Sequence, residues 1–100
     1  MFIGVGRYDL FIPASTSLKD KRQVLRSVTQ TVRKKFSVAV AEVDHQELWQ
    51  RAALGVSCLS DSLSHCRDVL DEVERTIGRV AAGNAEIVDR EVQIVAMEDL

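Results

Sequence analysis

Apolar positions along the chain recur every second residue, then every third or fourth, then every second again, and the whole cycle repeats once. Residues 2–12 place Phe2, Gly4, Gly6, Tyr8, Leu10 and Ile12 on one face and Ile3, Val5, Arg7, Asp9 and Phe11 on the other. Both faces begin apolar, as an interior strand requires, while Arg7 and Asp9 mark the face nearer water. Pro13 closes the strand, since it cannot donate to a ladder. Ser17, with Asp20 three residues on, is a capping-box pattern with the shorter acid and predicts a helix start. At about 100° per residue, Leu18, Leu25, Val28, Val32 and Phe36 fall in one arc of roughly 80°, with Val24 at its margin.

Residues 37–45 alternate again, with Val38, Val40, Glu42 and Asp44 against Ala39, Ala41, Val43 and His45. The stretch 43–52 is the hinge of the pattern, and residues 52–59 form a third strand, Leu54, Val56 and Cys58 opposing Ala53, Gly55, Ser57 and Leu59. Asp61 or Ser62 caps a second helix, whose apolar stripe is Leu63, Cys66, Leu70, Val73, Ile77 and Val80. Its outer side is acidic, with Asp71 four before Arg75, and Gly83 and Asn84 end it. Residues 87–97 are the last strand, Val88, Val92, Ile94 and Ala96 against Asp89, Glu91 and Gln93. The order predicts an α+β, ferredoxin-like βαββαβ domain spanning 1–100, a four-stranded antiparallel sheet in order 4-1-3-2 with both helices on one face. Strand 2 is then an apolar edge. Such edges invite pairing, so a homodimer through it is one expected partner arrangement.

Charge changes this picture more than composition does. The net charge is -2, yet residues 18–36 carry seven basic residues against one acid. Lys19, Arg22, Arg26 and Arg33 lie within roughly 60° of one another, a ridge about 21 Å long at ~1.5 Å per residue. Lys34 and Lys35 extend it, and Arg7 is a further basic candidate. A row of cations neutralises phosphates, so these seven residues are the candidate RNA contacts. The lone Trp49, beside Arg51 in the hinge, is the candidate protein contact.

Catalytic and metal chemistry find little purchase. Asp44, His45 and Glu47 sit together in sequence, but Asp44 and His45 point to opposite faces if strand 2 runs through them. His65, Cys58 and Cys66 lack a fourth ligand at structural-zinc spacing, and no glycine-rich nucleotide loop or nucleophile elbow occurs. No catalytic residue, metal or cofactor is therefore expected. Both cysteines are expected as free, buried thiols. The opening residues lack the features of a signal peptide and no apolar run reaches ~18 residues, so the expected location is the cytoplasm, without membrane association.

Three segments together carry a resemblance: Gly4-Val5-Gly6-Arg7; Ser17-Leu18-Lys19-Asp20-Lys21-Arg22-Gln23-Val24-Leu25-Arg26-Ser27; and Ala41-Glu42-Val43-Asp44-His45-Gln46-Glu47-Leu48-Trp49-Gln50-Arg51-Ala52 followed by Leu54-Gly55-Val56. In these the chain resembles the YlxP-like bacterial proteins, a domain family of unknown function, closely over roughly the first 56 residues and in pattern beyond them. The resemblance implies a ferredoxin-like fold and a cytoplasmic bacterial protein whose gene stands among those for translation initiation and ribosome-binding factors. It implies no established activity. Two functional expectations follow: RNA binding, ribosomal and without DNA, through the first helix; and protein interaction or self-association through the strand 2 edge and Trp49. Strand 3 holds no aromatic on which bases could stack, so RNA would be held by phosphate and shape.

Overall fold

The computed structural model describes residues 1–100, with β1 (Phe2–Phe11), α1 (Leu18–Lys35), β2 (Ala39–Asp44), β3 (Arg51–Ser60), α2 (Leu63–Ala81) and β4 (Glu86–Ala96), then a 3-10 turn at Met97–Asp99. The strands make one sheet in the order β2-β3-β1-β4, all neighbours antiparallel, which is the expected ferredoxin-like arrangement.

Register explains where the core sits. Gly4, Gly6, Tyr8 and Leu10 of β1 stand opposite Cys58, Val56, Leu54 and Ala52 of β3. Onto this face α1 brings Leu25, Val28 and Val32, and α2 brings Cys66, Leu70, Val73 and Ile77, forming one buried cluster. Each such side chain contributes roughly 1.5–3 kcal/mol on burial. The Tyr8 ring folds back across Gly6, where a Cβ would lie 2.7 Å from the hydroxyl oxygen. That hydroxyl donates to the Leu70 carbonyl at 3.1 Å, tying β1 to α2, and burial pushes its pKa up to about 12. The opposite sheet face is covered by no helix: Val5 and Leu59 on it are exposed, while Asp9 and Ala53 at its other end are buried.

Helix starts form where the caps predict. The Ser17 hydroxyl accepts the Asp20 N–H at 3.1 Å, and the Asp20 carboxylate reaches one residue further back than a capping box, to the N–H and hydroxyl of Thr16. Those Thr16 bonds, backbone first, hold the Asp20 carboxyl below the usual range. At α2 the cap is Ser62, whose hydroxyl accepts from the His65 N–H. Gly83, at φ +87°, adopts the left-handed conformation that follows the helix end.

Several expected positions differ. Leu63, the first residue of α2, is exposed, while Thr76 and Ala81 join the buried side. Leu18 and Phe36, at the two ends of the α1 stripe, are only half-buried. On α2, Arg75 pairs with Glu72 rather than Asp71. In β4 the alternation breaks: Asp9 faces Asp89 but Leu10 faces Ile87, so Val88 is the extra residue and is exposed while Ile87 packs on the core. A second irregularity lies in β2, where Glu42 faces Leu54 and Asp44 faces Ala53, leaving Val43 without a partner. Val43 instead packs over Gly55, where a Cβ would meet it at 2.7 Å. Neither helix is long and apolar enough to cross a membrane.

Candidate nucleic-acid interface

The basic ridge of α1 survives folding, with one cation removed from solvent. Lys21 is 1% exposed. Its Nζ donates to the carbonyls of His45, Gln46 and Arg51 at 2.9, 3.2 and 3.3 Å and pairs with Glu42 Oε2 at 2.9 Å. An ammonium has three protons and no acceptor, and a buried one needs such partners to offset its lost hydration. Lys21 therefore fastens the β2–β3 connection beneath the first turns of α1. Sequence periodicity places Lys21 near the apolar stripe. The signal missed was a lysine there with acids, Glu42 and Asp44, continuing the apolar face of the neighbouring strand.

Lys19, Arg22, Arg26, Arg33 and Lys34 are exposed and form no ion pair with a carboxylate. Arg22, Arg26 and Arg33 line one groove between α1 and β2, of about 420 Å³, together with Thr29, Gln30 and Glu42. Arg33 Nη2 donates to the Val40 carbonyl at 2.8 Å, which anchors the far end of the groove to the edge strand. Glu42 in the floor is already paired with Lys21. Lys35 turns away from the groove, reaching Thr76 at 3.5 Å and lying 5.4 Å over the Phe36 ring.

Arg7 is not part of this surface. It stands on the open face of the sheet, where Arg7 Nε donates to Asp9 at 2.8 Å and Nη2 to Asp44 at 3.1 Å. Asp9, 8% exposed, also has His45 Nε2 at 3.7 Å and Arg51 Nη2 at 3.8 Å. The Val43 bulge and a left-handed His45, φ +63°, bring Asp44 and His45 to one side beside Asp9, whereas unbroken alternation would separate them. The His45 N–H donates to its neighbour's Asp44 Oδ1 at 2.8 Å, an arrangement that stabilises the turn. The bond from Arg7 holds the Asp9 carboxyl below its ordinary range; the His45 N–H, then Arg7, do the same for Asp44. Two arginines and two aspartates cancel here, so the cluster pins the bulge and leaves little net field. No group of three or more His, Cys, Asp or Glu side chains converges as a metal site. Glu47 stands apart from it, in the hollow at the turn.

At that turn, Leu48 and Trp49 are both about half exposed, at 48% and 54%. Glu47, Leu48, Trp49, Gln50 and Arg51 line an open hollow of about 440 Å³. The turn is well fastened: Leu48 N–H donates to the His45 carbonyl, the Gln50 side chain donates to Pro13, and the Ile12 N–H donates to the Gln50 carbonyl. Cys58 and Cys66 are free and buried, and burial, with the Cys66 side chain beside it, pushes the Cys58 thiol up to about 11.

Comparison with known proteins places these features in a family. Among solved structures, the designed protein Foldit4 matches with a TM-score of 0.53 at 13% identity, over 96% of this chain and 98% of that one. The intact alpha subunit of aIF2 from Pyrococcus abyssi matches at 0.51 and 15%, over 98% of this chain and 35% of that one. At such identities the likeness is one of fold. In sequence, the uncharacterized protein YlxP of Bacillus subtilis (strain 168) is 33% identical over 87 residues, covering 77% of this chain and 95% of that protein. The family described as "Protein of unknown function (DUF503)" matches residues 3–92, well past the first 56 and through α2 into β4, and the chain belongs to that family.

Proposed function

We propose that this protein is a non-catalytic cytoplasmic RNA-binding factor that holds ribosomal RNA by its phosphates along the α1 groove. One observation carries the reading. The cations of α1 lack carboxylate partners except for buried Lys21, whereas elsewhere Arg7, Arg51, Arg75 and Arg90 are each drawn to an acid and only Arg67 and Arg79, both on the acidic outer side of α2, are not. Lys19, Arg22, Arg26 and Arg33 thus form a row of uncompensated charge on a rigid helix. An anionic strand is the partner that such a row attracts. The resemblance to proteins encoded among translation-initiation and ribosome-binding factors agrees in kind. Because the open sheet face carries Phe11 alone among aromatics, at the end of β1, stacking on the sheet is a poor alternative.

Four phosphate contacts give a slope of log K against log salt of about -3, so affinity should fall roughly 60-fold between 50 and 200 mM salt. The test is fluorescence anisotropy with labelled ribosomal RNA fragments, comparing the native protein with the quadruple variant Lys19→Ala, Arg22→Ala, Arg26→Ala, Arg33→Ala. Loss of binding and of the salt slope is expected. Unchanged binding by the variant removes α1 from the function.

Self-association through β2 is the second reading, favoured by the unpaired outer side of that strand. Four features weigh against it: the strand has six residues, carries a bulge, turns Glu42 inward, and has its Val40 carbonyl engaged by Arg33.

A further inference from the structure

The sole tryptophan sits where neither the core nor the phosphate groove accounts for it. Trp49 is exposed, and no cation covers its ring, the one cation–π contact being Lys35 over Phe36. An exposed tryptophan on a slack loop would carry no inference, because ordering the loop would cancel the gain from contact. This turn is not slack. Lys21 holds the carbonyls of His45, Gln46 and Arg51 from one side, and Gln50 is tied to Pro13 and Ile12 from the other. The same Lys21 bonds seat the turn against the N-terminal turns of α1, where the cation row begins with Lys19 and Arg22.

We propose that Trp49 is a stacking platform for an unpaired nucleobase of an RNA strand whose phosphates follow α1. The inference rests on the RNA-binding reading and narrows it, from RNA in general to RNA with a single-stranded segment. Charge selects which part of the nucleotide meets the turn. Glu47 and Arg51 both line the hollow beside Trp49, and Arg51 is already drawn to Asp9 at 3.8 Å, so the hollow offers a phosphate no excess positive charge, while the uncharged base has an apolar surface in Trp49 and Leu48. At the start of α1, to which Lys21 ties the turn, the sign is positive, and Lys19 and Arg22 take the phosphate. Stacking on an aromatic tolerates any base, so the platform adds affinity for unpaired RNA and little sequence preference.

Because the chain has one tryptophan, its fluorescence reports this site alone. The experiment titrates the full chain with a labelled single-stranded RNA of ~12 nucleotides, within the usual span of one single-strand binding domain, and with a hairpin duplex of equal phosphate number. Anisotropy of the label measures binding; quenching of Trp49 measures stacking. The single strand is expected to quench. Trp49→Ala is expected to weaken the single strand roughly 5- to 150-fold and leave the duplex unaffected, with Trp49→Phe close to native. Circular dichroism confirms that both variants fold. If the single strand binds without quenching and Trp49→Ala binds like the native protein, the platform is overturned while the groove reading stands. If neither RNA binds at 50 mM salt, both fall. Self-association that depends on Trp49, without quenching by RNA, assigns the ring to a second copy and likewise overturns the proposal.

Discussion

Replacing Lys21 by methionine keeps most of the side-chain stem and removes the ammonium, so it isolates the polar fastening from packing. The change deletes three hydrogen bonds to carbonyls and the 2.9 Å pair with Glu42. Removing one partner of a buried pair costs about 3–5 kcal/mol, mostly from the charge left behind. The Glu42 side chain is 25% exposed and can turn partly to water, which places the expectation at the lower end, about 3 kcal/mol. For a domain of this size that corresponds to a fall in Tm of roughly 12–24 °C. Urea denaturation followed by circular dichroism at 222 nm measures it. Adding Glu42→Gln should return at least ~1 kcal/mol, because the orphaned carboxylate is gone. Hydrogen exchange should quicken at residues 45–51 more than in the sheet centre, since those are the carbonyls released. A loss below about 1 kcal/mol would refute the reasoning, as would a double variant no more stable than Lys21→Met.

Gly6→Ala should destabilise by about 1–3 kcal/mol by forcing the Tyr8 ring from its place, whereas Gly78→Ala, with open space around it, should stabilise by roughly 0.5–1 kcal/mol; thermal denaturation that fails to give opposite signs contradicts the packing account. The depressed carboxyls of Asp9 and Asp44 contribute stability that is present above their unfolded pKa, near 3.8, and lost as pH falls further. Tm measured from pH 5 to pH 2 should therefore drop, and Asp9→Asn should make that acid limb shallower; an unaltered slope removes the cluster from the account. With the Cys58 thiol near 11, roughly one molecule in a thousand carries the thiolate at pH 8, so a thiol-specific disulfide reagent should label the native protein only as it unfolds. Labelling of native protein within seconds would count against the buried placement.

What the chain determined by itself is the part that period and caps encode. Alternation in residues 2–12, the 3.6-residue stripes and the serines at positions 17 and 62 are local signals, and helices, strands, sheet order and the position of the basic ridge follow from them. Three features lay beyond that reach because each depends on residues distant in sequence. Helical rotation sets Lys21 apart from the other six cations of its segment by turning it toward the apolar stripe, but which groups receive its ammonium there is decided by the carbonyls of the β2–β3 connection and Glu42. Val43 and Val88 fit an alternating pattern as well as their neighbours do; the register imposed by β3 and β1 turns them into bulges, which is why Asp44 and His45 meet Asp9 instead of parting. Trp49 is the third case. A lone tryptophan in the hinge fits a contact surface and a cover for one end of the sheet about equally, and the Lys21 and Gln50 tethers set the turn in which the ring is left 54% exposed. Local periodicity specifies which face of an element is apolar. Which polar group is captured, which residue is extruded and which ring is left exposed are decided by tertiary partners, because hydrogen-bond capacity and space are shared between segments that the sequence keeps apart.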